Sequence, residues 1–110
     1  MAKRLKKRYV VVMAEPKFSG DSIVNAVESS YRELFGSFGL AISGFKTMKI
    51  YKDRGVVIFR CFLKYLPNLL LATASVTRLD GRSAAIRTLA ISGTMRRAKE
   101  VAKTYTLEMK

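Results

Sequence analysis

The stretch FKTMKIYKDRGVVIFRCFLK, residues 45–64, decides the fold. Two runs rich in β-branched and aromatic residues flank KDRG, whose Asp53 and Gly55 suit a tight turn, so the segment reads as a hairpin of strands 45–52 and 55–64. Working outward, GDSIVNAVESSYRELFGSF carries Ile23, Val27, Tyr31, Leu34, Phe35 and Phe38 at helical spacing. This predicts an amphipathic helix from Gly20 to Phe38, capped by Ser19, helped by Asp21 in its first turn and ended by Gly39. Before it, RYVVVMA reads as a strand from Arg8 to Ala14, buried on one face or both. Beyond the hairpin, Pro67 opens a helix PNLLLATASV, TRLDGRS is a loop, AAIRTLAIS is a fourth strand, and Gly93 breaks it. A last helix follows, with Met95, Ala98, Val101, Ala102, Tyr105 and Met109 on one stripe.

The resulting order is β-α-β-β-α-β plus a C-terminal helix. That is the ferredoxin-like split βαβ arrangement, an α+β sandwich shared with RNA-recognition motifs. Connection rules predict a four-stranded antiparallel sheet in the order 4-1-3-2, with the first two helices on one face. Residues 1–7 form a basic N-terminal arm, and residues 8–110 a single domain.

Charge is the strongest compositional signal. The 110 residues hold 21 Lys and Arg against 8 Asp and Glu, a net charge of +13. Such a chain seeks polyanions, nucleic acid before an anionic membrane. The cations concentrate in residues 1–8, 46–64 and 78–103, whereas residues 15–44 are net acidic. An anionic partner therefore lies away from the first helix. The chain has no histidine and one cysteine, Cys61. This excludes an internal disulfide and a Ser-His-Asp or Cys-His catalytic system, and leaves zinc without its usual ligands. The apolar runs are too short to cross a bilayer, and the chain reads as soluble and intracellular.

Residues 53–61, DRGVVIFRC, open like the RNA-reading strand of an RNA-recognition motif, with Arg54 and Gly55 in place. The base-stacking positions, however, hold Val56 and Ile58. One face of the strand carries Val56, Ile58, Arg60 and Phe62, and the other Val57, Phe59, Cys61 and Leu63. Two apolar faces need two covers, and the C-terminal helix is the second. Tyr9 reads as packing. RNA, if bound, is held by basic rims. Asp53 and Asp80, beside Gly55 and Gly81, shape turns. Ser92, Gly93 and Thr94, at a strand-to-helix junction, either cap the helix or also touch phosphate, with Arg87, Arg96 and Arg97 expected nearby.

The segment TRLDGRSAAIRTLAISGTMRRAKE, residues 77–100, resembles the end of archaeal ribonuclease P protein component two, the Pop-five subunit of ribonuclease P and its mitochondrial-RNA-processing relative. The hallmark R-T-L-x-V-S-G-T stands here as Arg87 to Thr94, followed by Arg96 and Arg97. The basic arm, RYVVV and FSGDSIVNAV also fit, so the likeness spans residues 7–103.

The resemblance implies a non-catalytic RNA-binding subunit that supports the catalytic RNA in removing the 5′ leader from precursor tRNA in the cytoplasm. It binds no cofactor itself, and magnesium belongs to the RNA. Its implied partners are ribonuclease P RNA, protein component three, the other protein subunits and, indirectly, precursor tRNA. The pairs with component three can dimerise. The RNA-binding candidates are Lys3, Arg4, Lys6, Lys7, Arg8, Lys49, Arg54, Arg60, Arg87, Ser92, Gly93, Thr94, Arg96 and Arg97. The second helix is apolar on more than one side, and Leu66, Leu70 and Leu71 are the candidate protein interface. The alternative is a free-standing basic RNA-binding module. An acylphosphatase shares the topology, but its G-x-V-Q-G-V-x-x-R loop does not occur.

Overall fold

A computed structural model describes residues 5–15, 18–51 and 55–108. Strand β1 spans Lys7–Glu15, helix α1 Gly20–Ile42, and the hairpin strands β2 and β3 span Lys46–Tyr51 and Val56–Phe62. A single 3-10 turn, Leu63–Tyr65, leads into helix α2, Leu66–Ala74. Then come β4 (Arg78–Leu79), β5 (Arg82–Ser83), β6 (Ala85–Ser92) and helix α3 (Met95–Glu108). The main sheet is antiparallel in the order β2-β3-β1-β6, which is the expected 4-1-3-2 with β6 as the fourth strand. The topology is ferredoxin-like.

The two central strands are buried on both sides. Val10, Val12 and Ala14 of β1, with Val57, Phe59 and Cys61 of β3, point into the larger core with Ile23, Val27 and Tyr31 of α1 and Leu69 and Ala72 of α2. The alternate residues Val11, Val56 and Ile58 point to the opposite face, where Ala98 and Ala102 of α3 cover them. The small alanines let α3 lie close to the sheet. Each fully buried valine or isoleucine contributes roughly 1.5–3 kcal/mol. The second cover expected from the alternation is therefore α3, and the central base-stacking positions are closed by it. Cys61 is wholly buried, and that burial pushes its thiol up to about 11, so it stays protonated and inert at neutral pH.

Several local expectations hold at the level of single bonds. Ser19 caps α1, its Oγ accepting from the Ser22 N–H at 3.3 Å. Asp80 and Gly81 both take positive φ, 50° and 80°. The mirror-image turn that follows closes the β4–β5 ribbon, so the segment read as a loop is a miniature hairpin. The helix expected to stop at Phe38 runs to Ile42 instead, with a break at Gly36, whose φ of 76° and ψ of 170° are not helical. The expected inner stripe is only partly buried. Tyr31 is fully buried and Phe35 half-buried, but Leu34 and Phe38 of the expected inner stripe are 44% and 77% exposed. Helix α2 begins one residue before Pro67, which occupies its first turn, and ends at Ala74. Leu63 lies past the end of β3 and is exposed, not buried beside Cys61. The turn expected at Asp53 and the last stripe residue, Met109, lie outside the described residues.

Gly20 marks where α1 comes nearest the sheet. A Cβ there would collide with the Ile50 Cγ2 methyl and press on Val57. Ile50 is β-branched and cannot swing aside cheaply. Gly20→Ala should therefore cost about 1–3 kcal/mol in a urea melt despite alanine's better helix propensity.

Candidate nucleic-acid interface

Register places the basic residues before any side chain is considered. Tyr9 of β1 pairs with Arg60 of β3 on one side and Ser92 of β6 on the other, and Arg60 pairs with Lys46 of β2. One row across the sheet therefore reads Lys46, Arg60, Tyr9, Ser92. The next row outward pairs Lys7 with Phe62. The connection from β6 to α3 leaves from this same end, bringing Gly93, Thr94, Arg96 and Arg97 with it.

Between these rows lies an open groove of about 710 Å³, lined by Leu5, Lys6, Lys7, Arg8, Tyr9, Phe62 and Gly93. The backbone fixes its floor: the Leu63 N–H donates to the Lys6 carbonyl at 2.7 Å. Arg8 Nη1 donates to the Lys7 carbonyl at 2.8 Å, and the guanidinium lies over Gly93, where an added Cβ would stand 3.8 Å from Nη1. Arg60 turns toward the β2 side, its Nε and Nη2 each donating to the Gly44 carbonyl at 3.3 Å. Gly44 itself, at φ 72°, makes room for the Phe62 ring, whose Cδ2, Cε2 and Cγ would stand within 2.8 Å of an added Cβ.

The Ser92–Thr94 junction is a cap in the first instance. Ser92 Oγ donates to the Thr94 carbonyl and accepts from the Thr94 N–H, while Thr94 Oγ1 accepts from the Arg97 N–H at 3.3 Å. Arg96 and Arg97 stand exposed in the first turn of α3, Arg96 within 3.8 Å of Glu100.

Arg87 is elsewhere. It pairs with Met13, near the far end of β1, five residues from Ser92 along β6, or roughly 16 Å at strand rise. Its guanidinium meets Glu15 at 2.5 Å, and Glu15, through that hydrogen bond and then through its charge, holds Arg87 more firmly protonated. The expectation that Arg87 stands beside Arg96 and Arg97 is thus overturned, because the extended strand β6 carries it toward the opposite end of the sheet. Lys49 pairs with Ile58, away from the groove. Lys3, Arg4 and Arg54 lie outside the described residues. Lys46 and the aromatic pair Tyr9 and Phe62 join the groove end without having been singled out as RNA contacts. Strand pairing was the signal that could have found them, since Lys46 and Arg60 are opposite each other in the hairpin.

Of the candidate protein contacts, Leu66 and Leu70 are half-buried against the larger core, and Leu71 is 51% exposed. Leu71 sits beside the α1–α2 contact, where Ser30 Oγ donates to the Ala72 carbonyl at 2.8 Å. Among the described residues, no cluster of His, Cys, Asp or Glu could hold a metal ion, and no helix is long and apolar enough to cross a membrane.

The molecule is a small, strongly basic ferredoxin-like domain whose sheet is roofed by its own helix and seven of whose cations, Lys6, Lys7, Arg8, Lys46, Arg60, Arg96 and Arg97, gather at one end. A model of the Rpp14/Pop5 family matches residues 8–103, and the chain belongs to that family. Relatives include ribonuclease P protein component 2 of Archaeoglobus fulgidus, 32% identical over 87% of each chain. The protein of the same name from Pyrococcus horikoshii is 31% identical over 87% of this chain and 82% of its own. Among solved structures, a chain of yeast ribonuclease MRP superposes with a TM-score of 0.61 at 12% identity, covering 99% of this chain and 95% of that one, a likeness of fold.

Because Glu15 already neutralises Arg87, Arg87→Ala should weaken RNA binding less than Lys7→Ala combined with Arg8→Ala. The double variant should also flatten the salt dependence of binding by about two phosphate contacts, as read from log affinity against log salt.

Proposed function

We propose that this chain is a non-catalytic RNA-binding subunit of ribonuclease P, supporting a catalytic RNA in removing the 5′ leader from precursor tRNA. The observation that carries the reading is the convergence of Lys6, Lys7, Arg8, Lys46, Arg60, Arg96 and Arg97 at one end of a domain of this family. A free-standing single-strand binder of the RNA-recognition type is disfavoured, because α3 occupies the sheet positions on which such modules stack bases. In the proposed role, magnesium is bound by the RNA, and the chain works in the cytoplasm.

The chemistry of the domain fits a scaffold. Phosphates are neutralised by long cations at a rim, and each contact releases counterions. If ~5 phosphates are engaged, log affinity for ribonuclease P RNA should fall with log salt at a slope of about −4. A slope near zero between low and physiological salt would remove the phosphate-led interface. The purified chain, free of RNA, should cleave no precursor tRNA with or without magnesium. Cleavage that survives contamination controls would overturn the non-catalytic role.

The protein partner in this reading is component three or a second copy of the chain. Its docking surface is apolar: Leu71 of α2, together with Leu34, Phe38 and Ile42, which flank the break in the second half of α1 and are all exposed. A leucine at an interface centre is worth roughly 1.5–3 kcal/mol. Leu71→Glu and Phe38→Glu, both at exposed positions, should leave the circular dichroism melt within a few degrees of wild type. Each should nonetheless lower the mass of the assembly formed with component three in light scattering. An unchanged assembly in both variants would move the interface off this surface.

A further inference from the structure

The groove beside Arg8 has walls of two kinds. Lys6, Lys7 and Arg8 supply positive charge, while Tyr9 and Phe62 supply aromatic surface and Gly93 an open floor. A site that only tracked phosphate would need the cations alone. A site for an apolar side chain would not collect three of them. At about 710 Å³ the groove falls within the roughly 300–1,000 Å³ of sites that hold small ligands. We propose that this groove binds one unpaired ribonucleotide, its base against Phe62 and its phosphate held by Lys7 and Arg8. The proposal rests on the RNA-binding role above and gives it a mode: the protein takes a nucleotide out of a loop or bulge rather than gripping a duplex.

The geometry prepares this. Phe62 belongs to the last position of β3, paired with Lys7, so ring and ammonium leave neighbouring strands on the same face. The ring is not free to swing. It lies against Gly44, whose missing Cβ leaves the space that the ring fills, and Gly44 is fixed in turn by two hydrogen bonds from Arg60 to its carbonyl. An aromatic held in place loses little freedom when a base stacks on it, and base–aromatic stacking tolerates any base. Tyr9 is anchored from the other side, packed into the small core under α3. Helix α3 closes the middle of the sheet but starts only at Met95, so this end of the sheet stays uncovered. The chain has lost the central stacking platform and kept an aromatic at its margin, beside the cations.

The test compares a short single-stranded oligoribonucleotide carrying a fluorescent purine analogue with a duplex RNA of equal charge, both titrated against the full chain. Wild type should prefer the single strand, and the purine fluorescence should be quenched on binding. Phe62→Leu keeps an apolar side chain on Gly44 and should lower the single-strand-to-duplex preference about tenfold and abolish the quench. Gly93→Leu is the second variant. Gly93 does not require a positive φ, and an added Cβ meets nothing nearer than Arg8 Nη1 at 3.8 Å, so the substitution does not strain the backbone and sends its side chain into the groove beside Arg8. It should produce the same loss. If both variants keep the wild-type preference and quench while Lys7→Ala with Arg8→Ala weakens both RNAs equally, the groove contacts phosphate only. The nucleotide site is then overturned and the RNA-binding role stands. If wild type binds neither probe nor ribonuclease P RNA, that role falls with it.

Discussion

Everything in this domain depends on two adjacent strands, β1 and β3, being buried on both faces. Their residues alternate between two cores, and neither face carries the polar side chains that water would require. A sheet of this kind needs a layer on each side. Helices α1 and α2 supply one, and α3, laid on the sheet through Ala98 and Ala102, supplies the other. If α3 were removed, Val11, Val56 and Ile58 would face solvent together.

That constraint governs the chemistry available to the molecule. A ferredoxin-like sheet normally offers its open face for recognition, but here the open face is interior. A polyanion would have to be met where the layers stop, and Lys6, Lys7, Arg8, Lys46 and Arg60 stand at one such end. The covered face also explains why Val56 and Ile58 stand in positions where RNA-recognition motifs carry aromatics. They are core residues, each fully buried, and an aromatic would overfill the space under α3. Phe62, four residues beyond Ile58 and at the strand's end, is free of that limit.

Charge is unevenly divided between the helical layer and the end of the sheet. Helix α1 is the net acidic part of the chain, and its second half exposes Leu34, Phe38 and Ile42 on both sides of the break at Gly36. The basic groove lies at the end of the sheet where β1 begins. The Glu15–Arg87 pair belongs to neither. Both side chains are more than half exposed, so its stabilising effect is small, and its main consequence is to withdraw one arginine from the pool of free positive charge.

The order of the main elements, the strand order of the four-stranded sheet and its double burial were legible in the sequence, because periodicity reports directly on which faces are apolar, whereas the short β4–β5 ribbon was not. Ser19, Asp80 and Gly81 were legible for the same reason: caps and turns are decided within four residues. The family was legible too, in the run from Arg87 to Thr94. The grouping of the cations was not. Arg87 is close to Arg96 in the chain and remote from it in space, since a strand separates its ends by about 3.3 Å per residue. Lys46 and Arg60 are far from Lys7 in sequence yet reach the same end of the sheet, because antiparallel pairing folds them back to it. The break at Gly36 was equally hidden, as its helical neighbours give the same periodic signal on both sides. Only the tertiary structure decided which charges share a surface and which leucines leave the core. The first depends on strand register, the second on how each helix packs, and neither leaves a mark in composition or spacing.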